Sequence, residues 1–199
     1  MNSRDTLAKL FNSPYRAKLL RLFIFNPGVI FDKNTIATKT KIPTSRLSSE
    51  LKTLRDGDII KDRSIPIKQR LTRAKTGFEL ASNFSLTKEI RNLLNADFLE
   101  HRHDLVKRFK NCGRIKLLIV SGIFVENTDS RVDLVIVGEN LKRNIIEKII
   151  RGIEADIGRE LVYSIMDSED FRYRANSSDK FIRDIFDYPH EFIIDKLPY

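Results

Sequence analysis

Apolar residues recur at helical spacing through the first sixty positions, broken at short intervals by turn residues. Residues 5–25, DTLAKLFNSPYRAKLLRLFIF, place Leu7, Leu10 and Phe11, then Leu19, Leu20, Leu22 and Phe23, at that spacing. Ser13-Pro14 marks a restart, because proline fits the first turn of a helix, where its missing N–H has no intrahelical acceptor. Asn26-Pro27-Gly28 ends the segment. A short helix is predicted over 33–40, capped by Asp32, with Ile36 and Ala37 inward. Lys41-Ile42-Pro43 forms the turn, and a second helix capped by Thr44 runs to about Arg55, where Gly57 stops it. In that helix Leu47, Leu51 and Leu54 define one buried stripe. The opposite face carries Ser45, Ser49 and Lys52, flanked by Arg46 and Ser48.

The pattern then changes period. Residues 58–65 read as a strand, 66–77 as a loop holding Lys68, Arg70, Arg73 and Lys75, and 78–84 as the returning strand. Residues 85–113 are helical, with Leu86, Ile90, Leu93, Leu94 and Phe98, then Leu105 and Phe109, and a break near Asn95 to Asp97. Beyond them strands and helices alternate. Strands are predicted over 114–125, 131–137 and 160–166. A helix over 140–156 turns Leu141, Ile145, Ile146, Ile149, Ile150 and Ile153 inward, and two short helices and a last strand complete the chain. The class is α+β, divided into an N-terminal domain at 1–84, a helical connector at 85–113 and a small α/β domain with a mixed sheet at 114–199.

Charge sharpens this division. Residues 1–90 hold 18 Lys/Arg against 8 Asp/Glu, and residues 91–199 hold 18 against 19, so the whole excess of the +9 chain lies in its first half. Such segregation is the footprint of a module that meets phosphate backbones. Two short helices on a tight turn, the second with a polar and basic outer face, followed by a basic hairpin, form a winged helix-turn-helix pattern. Thr44, Ser45, Arg46, Ser48, Ser49 and Lys52 are its candidate DNA-facing residues, with Lys68, Arg70, Arg73 and Lys75 on the wing. The partner expected is double-stranded DNA, bound by a homodimer.

Other features exclude more than they suggest. No apolar run approaches the roughly 18 residues that cross a bilayer, and the start lacks a signal peptide's apolar core. A lone cysteine, Cys112, forms no internal disulfide, so a cytoplasmic location is expected. His101 and His103 point apart on a helix and cannot share a metal. No cofactor is expected. The acids Asp167, Glu169 and Asp170 fit the first turn of a helix, where the macrodipole favours anions.

The second half carries a family resemblance in DSRVDLVIVG, GRELVYSIM and DFRYRANSSDKFIRDIFDYPHEFI. With the winged helix ahead of it, the chain resembles prokaryotic transcriptional regulators bearing a C-terminal minimal nucleotidyltransferase-like domain. That family carries Gly-Ser at the first turn, Asp-x-Asp on the second strand and a further acid on the third. By the resemblance, Ser121-Gly122 stands for Gly-Ser in reversed order, Arg131 for the first Asp, Asp133 for the second and Glu160 for the third acid. The implied chemistry uses two Mg²⁺ ions and a nucleotide triphosphate. Arg131 leaves that set a carboxylate short and puts a cation beside the metal position, so the resemblance implies a degenerate domain kept for sensing, dimerisation or partner binding. The alternatives are an active nucleotidyltransferase, with Asp133 and Glu160 as metal ligands, and an adaptor whose winged helix binds protein.

Overall fold

The computed structural model describes residues 6–65, 75–100, 104–127 and 129–197. It is an α+β chain of two compact units, one formed by 1–97 with 153–159 and the other by 98–152 with 160–199.

The first unit begins with α1 (Thr6–Leu10) and α2 (Pro14–Phe25), and the Ser13 hydroxyl between them accepts the Arg16 amide to cap α2. A two-residue strand, β1 (Phe31–Asp32), precedes α3 (Lys33–Thr40) and α4 (Thr44–Asp56). Asp32 caps α3 by accepting the Thr35 amide at 2.7 Å. Thr44 is the first residue of α4 and does not cap it; Pro43 holds the cap position without a side-chain bond. At the other end Gly57 keeps an ordinary φ of −91°, and the left-handed residue is Asp58 at φ 55°. Helix α4 thus ends at Asp56 with Gly57 as its C-cap, and the left-handed turn comes one residue later.

A hairpin follows, β2 (Ile60–Ile65) and β3 (Lys75–Leu80), with Ile60 opposite Leu80 and Ile65 opposite Lys75. The return strand therefore starts three residues before the expected 78, and Lys75 belongs to the strand, not the loop. β1 pairs with the far side of β3, giving the order β1-β3-β2. This third strand is too short for a periodic signal.

Leu20, Phe23, Ile36, Leu47, Leu51, Leu54 and Phe78 join one buried core, to which Leu94 of α5 (Thr87–Glu100) adds. The stripe on α4 is as the spacing predicts, each leucine 2% exposed or less. Leu10, Leu86 and Leu93 share the spacing but lie exposed. The break expected near Asn95 is absent, since α5 runs through it. An ion pair of Arg21 and Asp97 at 2.6 Å, both largely buried, ties α5 to α2. His101 and His103 fall outside the described residues.

The second unit holds α6 (Leu105–Arg108), then β4 (Arg114–Ser121), β5 (Leu134–Glu139), α7 (Arg143–Ile157, whose residues from 153 on belong to the first unit), β6 (Tyr163–Asp167), α8 (Ser168–Asn176), α9 (Lys180–Asp187) and β7 (His190–Asp195). The sheet order is β6-β5-β4-β7, with β5 and β6 parallel and the other pairs antiparallel, so it is mixed as expected. Leu117, Ile119, Val135 and Val137 face Phe171, Ile182 and Ile185 of α8 and α9. The alternate residues Leu118, Val120, Leu134 and Ile136 point to the other face and are equally buried, which explains the unbroken apolar runs of β4 and β5. On α7, Ile146, Ile150 and Ile153 are buried but Ile145 is 40% exposed, so the inward stripe is narrower than predicted. Buried Cys112 has its thiol pKa raised by desolvation, which leaves it a poor nucleophile.

Candidate nucleic-acid interface

The candidate surface is the outer face of α4. Thr44, Ser45, Arg46, Ser48, Ser49 and Lys52 are all exposed there, as their spacing predicts, and Thr53 joins them. A helical wheel extended one step beyond Ser49 would have included Thr53. Lys33 of α3 reaches the same face, its Nζ 3.4 Å from the Ser48 hydroxyl. That position depends on how the two helices cross and has no signal in the spacing.

Charge on this face is sorted by pairing. Glu50, the mid-helix acid of α4, turns toward α2. Its carboxylate accepts from the Ser13 hydroxyl at 2.7 Å and from Arg16 Nε at 3.1 Å, and its side chain is 13% exposed. Arg55, at the end of α4, is drawn to Asp62 of β2 at 3.2 Å. Arg46 and Lys52 have no ion-pair partner among the described residues. Together these contacts leave cations outward and carry the acid away.

The hairpin is tied by its own pairs. Arg63 Nε donates to Glu79 across β2 and β3 at 2.6 Å, and Lys61 Nζ donates to the Ser82 hydroxyl at 3.2 Å. The Arg63 hydrogen bond, aided by the Arg63 and Lys61 charges against some desolvation, holds the Glu79 carboxyl below its ordinary value of 4.5. A carboxylate with a depressed folded pKa stabilises the fold fully above its unfolded value and stops doing so as pH falls through the folded one. The hairpin is therefore expected to weaken below about pH 4.5, by less than about 1 kcal/mol because the pair is partly solvated. Urea midpoints of wild type and Glu79→Gln at about pH 7 and pH 3.5 check this, and equal pH sensitivity of the two would remove the assignment. Lys68, Arg70 and Arg73 lie outside the described residues, as does the Lys75 side chain.

The positions suggested by the nucleotidyltransferase likeness gather around a different device. β4 ends at Ser121, and Gly122–Val125 turn into a 3₁₀ helix, so the strand predicted to 125 stops four residues early. Gly122 has φ +56°, and a Cβ there would overlap the Asp133 carboxylate. Asp133 lies just before β5, 8% exposed. Its Oδ1 accepts the Ile123 amide at 3.0 Å and its Oδ2 the Val162 amide at 2.9 Å, while its own amide donates to Val162 O at 2.7 Å. The acid thus clamps the turn after β4 to the segment before β6.

Arg131 also precedes β5, in the loop, and its Nε pairs with Asp184 of α9 at 3.0 Å. Among the described residues Asp184 is its ion-pair partner. Ser121 is 1% exposed; its hydroxyl donates to Pro189 O at 3.0 Å and lies 2.6 Å from the Ser130 hydroxyl. Glu160 sits exposed, three residues ahead of β6 instead of at its opening. The groove lined by Ser121, Ser130, Arg131, Phe181 and Asp184 is too tight to admit a water molecule. Among the described residues no three His, Cys, Asp or Glu side chains come together as a metal-holding group. His190 Nδ1 donates to Tyr188 O at 2.8 Å, and the ring stands edge-on to Phe186 and Phe192. No described helix is long and apolar enough to cross a membrane.

The sequence matches no family model, and no curated protein or solved structure matches it.

Proposed function

We propose that this chain is a regulator that binds duplex DNA through a winged helix-turn-helix in its first unit, acts as a homodimer and works in the cytoplasm. The observation that carries the reading is the outer face of α4, where Arg46, Lys52 and five hydroxyl side chains are exposed while Glu50 is held inward by Ser13 and Arg16. The order helix, strand, helix, helix, hairpin supports it, as does the confinement of the basic excess to residues 1–90. Helix α4 would enter the major groove, with Lys33 and the hairpin loop on flanking phosphates.

In this reading the second unit is a degenerate nucleotidyltransferase-like module that serves sensing, self-association or partner binding. Asp133 supports degeneracy, because ligating a metal would compete with the two amides that its carboxylate already satisfies.

Titration of the full chain against duplex DNA at several salt concentrations tests the reading. Binding should weaken as salt rises, with a log–log slope of about −0.9 per neutralised phosphate. The pair Arg46→Glu with Lys52→Glu should weaken it by at least about tenfold, since each reversal sets a like charge against the backbone. Absence of salt-dependent binding, or a reversed pair that binds as wild type does, would overturn the proposal.

A further inference from the structure

The duplex-binding reading can be carried to the kind of base that α4 selects. In the major groove guanine offers two acceptors, adenine an acceptor beside a donor, and cytosine a single amino donor. Direct recognition therefore takes a fork of donors for guanine, an amide side chain for adenine and a carboxylate acceptor for cytosine.

The α4 sequence, TSRLSSELKTLRD, has no Asn or Gln. Its mid-helix carboxylate, Glu50, is bonded to Ser13 and Arg16 and is not presented outward. Two outer hydroxyls have their protons engaged on the helix itself: Ser49 donates to Arg46 O at 2.9 Å, and Thr53 to Ser49 O at 3.1 Å. Arg55 is drawn to Asp62. Lys52 is a rotatable point charge without a fork. Arg46 alone on this face combines exposure, no acid partner among the described residues and a planar set of five N–H donors. It also lies in the first turn of α4, the end of a recognition helix that meets base edges.

We propose that Arg46 reads a guanine, and that each copy of the chain selects a duplex with one fixed G·C pair and no adenine-specific step beneath α4. This rests on the DNA-binding reading and deepens it. It also accounts for the withdrawal of Glu50, since a carboxylate on the face would favour cytosine and repel phosphate.

Selection of bound duplexes from a random pool by the full chain, at fixed salt, tests the inference. Each selected half-site should carry one guanine whose replacement weakens binding about 5- to 150-fold, the equivalent of about 1–3 kcal/mol. Arg46→Ala should abolish that preference, keep weak binding to unrelated duplexes and change the salt slope by no more than about 1. Lys52→Ala should weaken all duplexes alike. A pool that fixes adenine or cytosine instead, or a guanine preference that survives Arg46→Ala, overturns the inference and leaves DNA binding standing. A chain with no salt-dependent duplex binding overturns both.

Discussion

Asp133→Ala is expected to destabilise the second unit by about 2–5 kcal/mol. The carboxylate accepts one amide from the turn after β4 and one from the segment before β6, and it is 8% exposed. Truncation leaves both N–H groups without an acceptor where water has little access, and each such loss costs about 1–3 kcal/mol. Asp133→Asn should cost less, because the amide oxygen keeps one bond while its NH₂ opposes the other donor. Cys112 gives a built-in readout for this unit. Its thiol is buried, so alkylation of the native chain must await opening, and the labelling rate in Asp133→Ala should rise in step with the loss of stability. A carboxylate kept for metal chemistry behaves in the opposite way, since removing it relieves strain or like-charge repulsion in the site. Unchanged or increased stability in urea, with unchanged labelling, would refute the clamp.

The clamp shows where sequence patterns stop informing. Residues 114–121 and 134–139 could be placed as strands because a sheet covered on both faces leaves continuous apolar runs. Asp133 stood out beside one such run, but its partners are the amides of Ile123 and Val162, and an amide carries no side-chain signature. Gly122 marked a small-residue turn; the reason for the glycine, contact with the Asp133 carboxylate, appears only when the turn is folded. Arg131 read as a misfit in a metal set, whereas Asp184, its actual partner, lies fifty-three residues later on α9.

In the first unit, local signals served better. Helix α4 has three leucines at spacings of four and three, and all three are buried, so its outer face followed from the wheel alone. Leu86 and Leu93 obey the same spacing and are exposed, because α5 buries Leu94 and partly buries Ile90 on an adjacent line. Periodicity fixes that a helix has a stripe, and the neighbours decide which line of it they cover. β1 lacks a sequence signal for a related reason. Two residues carry no period, and Phe31 and Asp32 form a strand because β3 offers a free edge.

The second large effect is expected at the contact that orients α4. Arg16 donates through Nε to Glu50 at 3.1 Å and through NH1 to Phe11 O at 2.8 Å, so one guanidinium joins the end of α1, the start of α2 and the middle of α4. Glu50 is 13% exposed and Arg16 28%, a setting in which a charge-assisted bond contributes about 1.5–3 kcal/mol. Arg16→Ala should lose about that much stability in urea, and it should also weaken duplex binding about tenfold. The second effect has a separate cause. With Arg16 gone, the Glu50 carboxylate keeps only the Ser13 hydroxyl, and its unneutralised charge acts on the helix proposed to face phosphate. Adding Glu50→Ala to Arg16→Ala should therefore restore most of the DNA affinity while stability stays low. Because the two side chains touch, the stability cycle should show a coupling of about 0.5–3 kcal/mol. A cycle with additive losses would mean that the pair does not orient α4. Affinity that falls further in the double variant would mean that Glu50 serves the DNA face directly, by accepting a hydrogen bond from cytosine, and not by being held away from it.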